Sequence, residues 1–264
     1  MSDLSENRIR SVITGRDTGP FGQVISYFEQ IDSTNTYLRG LAERGAPEGT
    51  LAIADEQTAG RGRMGRRWDA AAGTSLLFSL IFRPTLPPEQ ASRLVMACGL
   101  GIAGACDSRL PEPVQVKWPN DLLITGRKFT GILPESGITA GRLGWVVVGM
   151  GVNVNLQIDP ASPYAPISIS LLMATGRVYD RAELLADILE RIAAWYRQVE
   201  RPALLDAWRA RCSTLGQRVR LREATGEIEG IAEDIDPGGG LWLREDGGTH
   251  RLLSAGEVTV IKDA

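Results

Sequence analysis

The stretch Gly60-Arg61-Gly62-Arg63-Met64-Gly65-Arg66-Arg67-Trp68 decides how the rest of this chain is read. It places four guanidinium groups on a glycine-rich segment with almost nothing apolar to bury. Four like charges this close repel, and the glycines carry extra backbone entropy that ordering must remove. The segment is expected to settle poorly on its own. An anion changes that balance, because arginine forks bind phosphate or carboxylate bidentately and backbone N–H groups form anion-binding nests. The run predicts a loop that closes over a phosphorylated or adenylylated ligand.

Strand patterns flank the loop. Thr50–Gln57 leads into it, and Thr74–Arg83, mostly apolar and closed by Pro84, follows it. Gln23–Ile31 alternates as an earlier strand, and Asp32-Ser33-Thr34-Asn35 supplies capping chemistry for the amphipathic helix Thr36–Arg44. Pro88–Leu110 reads as one long buried helix. Val114–Trp118, Asp121–Ile124, Lys128–Glu135 and Leu143–Val154 read as strands joined by tight turns. Asp180–Val199 and Pro202–Cys212 carry apolar residues at helical spacing. After Leu215-Gly216 the pattern switches to short strands marked by Val219/Leu221, Ile228/Ile231, Leu241/Leu243, Leu252/Leu253 and Val258/Val260, which suggests a small SH3-like barrel. Residues 1–22, polar and broken by Gly15, Gly19 and Pro20, read as a mobile tail with one helical turn at most. The expected division is tail 1–22, main unit 23–214 and small unit 215–264.

Composition narrows the chemistry. A 264-residue chain with 43% hydrophobic and 23% charged residues is ordinary for a soluble globular protein. The net charge of −3 makes the arginine run a local feature on an acidic background, which favours a small anionic ligand over a nucleic-acid backbone. Cys98, Cys106 and Cys212 lack metal-ligand spacing, and an odd count without a framework fits a reducing cytoplasm. Cys98 and Cys106 are expected to fill a helix core. One histidine, His250, leaves little room for a histidine-based triad or zinc site. No cleavable signal precedes the first strand, and no apolar run approaches the roughly 18 residues of a membrane span.

Other motifs carry competing readings. Gly60-x-Gly62-x-x-Gly65 matches the dinucleotide fingerprint in form, but no helix opens behind it and no acidic residue follows about 20 positions on. Arg66-Arg67 after Gly65 also excludes a Walker loop. A solvated basic loop is the plain alternative. Trp68 is either core packing or a stacking surface for a base. Lys117-Trp118-Pro119-Asn120-Asp121 puts a lysine at a strand end before a chain-fixing proline; Lys117 either meets an anion or lies on the surface. Gly149-Met150-Gly151-Val152-Asn153 interrupts a strand, marking close backbone approach or a bulge. Asn153 is suited to an adenine edge or to a satisfied core amide.

Taken together these segments resemble biotin protein ligases, the biotin–[carboxyl-carrier] ligase family. Ser33-Thr34-Asn35, Gln57-x-x-Gly60-Arg61-Gly62-Arg63, the Lys117–Asp121 block, Gly131-Ile132-Leu133-x-Glu135 and Gly149-x-Gly151-x-Asn153 stand in that family's order and approximate spacing, from about Val24 to Ile261. The resemblance implies an α+β fold: a mixed β-sheet flanked by helices, class II synthetase-like, followed by an SH3-like β-barrel. It implies a two-step acyl transfer using ATP, Mg²⁺ and biotin. The biotin carboxylate attacks the α-phosphate to give biotinyl-5′-AMP, and a lysine of a biotin carboxyl carrier domain then displaces AMP.

By position, Ser33, Thr34, Asn35 and Gln57 border biotin, and Arg61, Gly62 and Arg63 hold the intermediate. Arg66, Trp68 and Asn153 face the nucleotide. Lys117 touches the biotin carboxylate or the α-phosphate, and with Arg63 forms the catalytic pair. Cations are what the chemistry needs, because one anion is brought onto another. The metal is expected to arrive with ATP, and Asp121 is the neighbourhood candidate for the base that deprotonates the acceptor lysine. Some family members place an arginine near the C-terminus to contact phosphates; here Ile261 and Lys262 stand there. Only a short tail precedes the first strand, so the expectation is a cytoplasmic ligase without operator binding, a monomer or homodimer, with no nucleic-acid or membrane partner. The weighed alternatives are a lipoate or octanoate ligase of similar fold, and a biotin-sensing regulator that binds DNA.

Overall fold

The computed structural model describes residues 3–223, 226–254 and 256–261; Lys262 lies outside them. The large sheet is built around its most apolar strand. Ser75–Phe82 (Ser-Leu-Leu-Phe-Ser-Leu-Ile-Phe) is buried at every position, as a strand covered on both faces must be. In chain order the elements of this unit are α1 (Glu6–Ile13), β1 (Ile25–Ile31), α2 (Thr34–Glu43), β2 (Leu51–Gln57), β3 (Ser75–Phe82), α3 (Ser92–Asp107), β4 (Gln115–Lys117), β5 (Asp121–Ile124), β6 (Arg127–Thr139), β7 (Arg142–Asn153), α4 (Leu171–Thr175), α5 (Arg181–Tyr196) and α6 (Pro202–Arg211). The strands lie in the order β1-β2-β3-β7-β6-β5-β4. β1 and β2 are parallel and the rest antiparallel, so the sheet is mixed as expected.

One face carries the main core with α1, α3 and α5. The other is covered by α2 over a smaller apolar cluster of Leu38, Ala42, Ala52, Ile81 and Val147. Cys98 and Cys106 fill the buried side of α3; burial raises both thiols, Cys106 to about 12. β8 (Arg218–Glu223), β9 (Gly226–Ile235), β10 (Leu241–Arg244), β11 (His250–Leu253) and β12 (Glu257–Val260) form a second, antiparallel sheet in the order β11-β10-β9-β8-β12. The buried guanidinium of Arg93 seats this sheet on α3: it donates to the Val199, Arg201 and Pro237 carbonyls at 2.5, 2.9 and 3.0 Å. No helix among the described residues is long and apolar enough to cross a membrane.

Two expectations need correction. The tail holds more than the one helical turn expected: residues 6–13 form α1, capped by Ser5 Oγ, which accepts from Arg8 N at 3.1 Å. Its apolar face is Ile9 and Val12, both buried, with Ile13 half-buried beside them, too short to register as a periodic signal, and a helix of eight residues depends on tertiary packing. That packing is against α5, where Arg8 meets Asp180 and Glu183 and Arg16 meets Glu183 and Asp187. The long helix also starts late. Pro88–Gln90 makes a single 3₁₀ turn, and the α-helix begins at Ser92.

A buried cation ties this N-terminal segment to the sheet. Arg181, at the start of α5, is 1% exposed. Its Nη1 donates to Asp55 Oδ1 at 2.9 Å and to the Ser75 carbonyl at 3.1 Å, while its Nε donates to Asp3 Oδ1 at 2.7 Å. Tyr27 Oη donates to the other Asp55 oxygen at 2.9 Å. Breaking such a pair strands a buried carboxylate. Arg181→Met is expected to lower unfolding free energy by about 3–5 kcal/mol, read as a shifted urea midpoint; a loss below about 1 kcal/mol would show that the pair contributes nothing net.

Candidate functional site

The site forms where β2 ends, α2 begins and the 60–68 loop crosses β6 and β7. There the chain encloses a cavity of about 1230 Å³, enough for a ligand of two linked parts. Arg61, Arg63, Arg66, Arg67, Lys117 and Lys128 line it against four carboxylates, Glu56, Asp69, Asp121 and Asp159. An acidic chain has gathered a cationic excess at this one place.

At one end the cavity is walled by a chain of hydroxyl and amide hydrogen bonds that ends on the Glu135 carboxylate. Thr34 N donates to Gln57 Oε1 at 2.8 Å, and Thr34 Oγ1 lies 2.7 Å from Ser79 Oγ. Ser79 Oγ donates to Asn35 Oδ1 at 2.6 Å, and Asn35 Nδ2 to Glu135 Oε2 at 2.9 Å and the Leu133 carbonyl at 3.2 Å. Thr34 Oγ1 also lies within donating distance of Gln57 Oε1, at 3.1 Å, so its one proton serves either Gln57 or Ser79. Ser33 caps α2, accepting from Thr36 N. Gly149 lets this amide lie on the sheet: a Cβ there would sit 2.2 Å from Asn35 Oδ1. The structure thus brings Ser33, Thr34, Asn35 and Gln57 together at this end of the cavity.

The other end is the arginine loop, which has more internal order than its charge suggests. Gly62 N donates to the Arg66 carbonyl at 2.7 Å and Trp68 N to the Gly60 carbonyl at 3.1 Å, with Arg61 and Arg67 bridged. The reversal uses left-handed backbone at Met64 and Gly65. Counter-partners offset the repulsion: Arg61 meets Glu135 at 2.8 Å, Arg63 Nη1 donates to Asn120 Oδ1 at 3.1 Å, and Arg67 meets Asp69 at 3.2 Å. Arg66 is exposed on the cavity rim.

Trp68 turns back over the sheet. Gly131 and Gly151 are cross-strand partners, and a Cβ on either would stand 2.8 or 2.4 Å from the indole. The close approach predicted at Gly151 is therefore to Trp68. The Lys128 ammonium stands 5.5 Å from the ring centroid, within cation–π range. Trp68 Nε1 is buried with no hydrogen-bond partner among the described residues.

The remaining predicted residues divide. Lys117 ends β4 and lines the cavity, half-buried, with no ion pair among the described residues. Asn153 lines the cavity, but its Nδ2 donates to the Ile169 carbonyl at 3.1 Å, which favours the satisfied-amide reading. Asp121 is engaged with Lys128 Nζ at 2.7 Å. Sequence reasoning missed Lys128, Asn120 and Ser79 as site groups. It also missed the 156–169 segment, whose Ile167 and Ile169 hydrogen-bond the Lys128 backbone. A lysine just after a glycine turn carries no signal of its own; only the register of β5 on β6 aims it at the loop.

Residues 27–153 match the biotin/lipoate A/B protein ligase family, and residues 214–260 match the biotin protein ligase C-terminal domain. The chain is 35% identical over 266 residues to the biotin–[acetyl-CoA-carboxylase] ligase of Mycobacterium tuberculosis, spanning 98% of this chain and 96% of that one. The chain belongs to the biotin protein ligase family. It is also 35% identical over 256 residues to the bifunctional ligase/repressor BirA of Bacillus spizizenii, spanning 96% of this chain and 78% of that one. Among solved structures it resembles the Aquifex aeolicus biotin protein ligase in complex with biotin and ATP, with TM-score 0.75 and 28% identity over 91% of this chain and all of that one.

The bed under Trp68 yields a direct test. Gly151→Ala is expected to lift the indole from the sheet, so the Trp68 share of emission (the difference from a Trp68→Phe chain) shifts red and acrylamide quenches it more strongly. Unchanged quenching would mean that the ring does not rest on Gly151.

Proposed function

We propose that the two ends of the cavity hold the two halves of biotinyl-5′-AMP, with the neutral Thr34–Gln57 network around the biotin head group and the arginine loop around the adenylate. The enzyme is an ATP-dependent biotin protein ligase. The biotin carboxylate oxygen attacks the α-phosphorus, the bond to the β-phosphate breaks and pyrophosphate leaves. A lysine amine then attacks the acyl carbon, the acyl–phosphate bond breaks, AMP departs and the amine loses its proton. The acceptor assigned here is a lysine on a carboxyl carrier domain, and the setting assigned is the cytoplasm. The catalytic unit is assigned to residues 23–214 and the small unit to 215–264.

The juxtaposition that carries this reading is Lys128 over the Trp68 ring, with Arg63 and Lys117 lining the same cavity as the Thr34–Gln57 network. Biotin's ureido ring needs neutral donors and acceptors. Gln57 Oε1 is already held by Thr34, which leaves the Gln57 amide donors for the ligand. Thr34, Asn35 and Ser33 shape the remainder. On the other side two anions must be driven together, so preorganised cations lower the barrier by offsetting charge on the phosphorus oxygens. Arg63, held by Asn120, and the lysines Lys117 and Lys128 supply that charge, while the Trp68 ring offers a face to the adenine.

The Mg²⁺ would be carried in on the ATP phosphates and would neutralise them there. Covering the mixed anhydride excludes water, and Arg61, Gly62 and Arg63 are placed to do it.

Biotin-dependent exchange of labelled pyrophosphate into ATP tests the substrate: exchange is expected with biotin, and exchange with lipoate alone would overturn the assignment. Lys128→Ala and Lys117→Ala are each expected to slow that exchange about 10²-fold or more while the chain stays folded. A normal rate in either variant would remove that lysine from the reacting centre. Arg63→Gly is expected to release the intermediate, labelling bystander lysines on added albumin; labelling confined to the carrier would contradict a retaining role.

A further inference from the structure

Lys117 and Asn120 stand on the adenylate side of the cavity, and between them lies Trp118, a residue that the chemistry above does not use. Trp118 is 2% exposed. It also lines the cavity, and its indole Nε1 reaches the second sheet, where it donates to the Gly239 carbonyl at 2.9 Å. Its backbone N donates to Thr214 Oγ1 at 3.1 Å, and Thr214 is itself fully buried where the two sheets join.

The turn that receives the indole is fixed from behind. Ser92 Oγ donates to the Gly238 carbonyl and Arg93 Nη1 to the Pro237 carbonyl at 3.0 Å, while Gly240 N donates to Asp236 Oδ1 at 2.6 Å. Gly239 is left-handed at φ +87, and a Cβ there would lie 2.4 Å from Ser92 Oγ, so this turn has one way to sit. On the cavity side the chain of contacts continues. The Asn120 carbonyl accepts from Ile132 N at 3.1 Å, Asn120 Nδ2 donates to the Ile132 carbonyl at 2.7 Å, and Asn120 Oδ1 receives Arg63 Nη1 at 3.1 Å. Buried hydrogen bonds at Trp118 and part-buried ones at Asn120, joined by the Trp118–Pro119–Asn120 backbone, thus run from the C-terminal sheet to a loop guanidinium.

We propose that Trp118 is a positioning residue: its indole N–H, anchored on the Gly239 carbonyl, fixes the strand end bearing Lys117 and Asn120 and so sets where Arg63 stands. The second sheet then acts on the adenylate side through Arg63, whereas the Thr34–Ser79–Asn35 network of the biotin side is held on Leu133 and Glu135 and meets the loop at Arg61, which shares Glu135 Oε2 with Asn35. The assignment of sides rests on the function proposed above.

The test uses the full chain with Trp118→Phe, which keeps a ring and removes only the donor, and Gly239→Ala, which displaces the same turn from outside the cavity. An unmet buried carbonyl is expected to raise the KM for ATP about ten-fold in each, with the KM for biotin within two-fold of wild type. The double variant is expected to be no worse than the more affected single, because both act through one bond. Hydrogen exchange at the Ile132 amide is expected to quicken while β2 and β3 amides keep their protection. An unchanged ATP KM with Ile132 still protected, parallel rises for ATP and biotin, or additive effects in the double variant would each overturn the proposal. Should Trp118→Phe not fold, Gly239→Ala alone carries the same readings. Wild-type protein that exchanges no pyrophosphate with biotin would sink the functional reading instead, and the Ile132 amide would still decide the positioning role.

Discussion

The site depends on a patch of sheet without side chains. Gly131 and Gly151 face each other across β6 and β7, and Gly149 lies two residues along the same strand. Glycine weakens a strand, and three in one patch remove packing from the middle of a seven-stranded sheet. That loss is offset by the apolar run on either side, where Val146, Val147, Val148 and Val152 are all fully buried. What the gap gains is proximity. An indole and a carboxamide lie flat against the backbone, and the ligand cavity is built on top of them.

Electrostatics then selects what the cavity holds. Arg61, Arg63, Arg67 and Lys128 each have a protein partner, so the loop is not a bare cluster of repelling charges. The partners are a side-chain amide and half-buried or exposed carboxylates, whose hold on a cation is modest and screened. A phosphate entering the cavity can be held bidentately by the same guanidinium groups and so competes well for them, and Lys117 has no ion-pair partner to give up among the described residues. The loop is ordered enough to be aimed and loosely enough paired to be recruited.

Much of this was legible in the chain. The strands flanking the arginine run, the cap at Ser33, the glycine-interrupted β7 and the switch to short strands after Leu215 all have local causes that sequence expresses directly. The less legible parts depend on distant partners. α1 is held by α5, more than 160 residues away, through a few apolar residues and salt bridges that no periodicity announces. Lys128 reads as a solvated strand start until β5 pairs with β6 and turns it toward Trp68. Gly151 stands out because it interrupts a strand, and Asn153 because its amide both donates and accepts. Yet one amide serves the Ile169 carbonyl and the bare backbone receives a tryptophan, assignments that require knowing which loop crosses which strand.

The most direct measurement is a crystal structure of the full chain with biotinyl-5′-AMP. The account predicts the ureido ring among Thr34, Asn35 and Gln57, the adenine against Trp68, and the phosphate within hydrogen-bonding distance of Arg63 and at least one of Lys117 and Lys128. A nucleotide bound away from Trp68, with the 60–68 loop making no contact to it, would contradict the account.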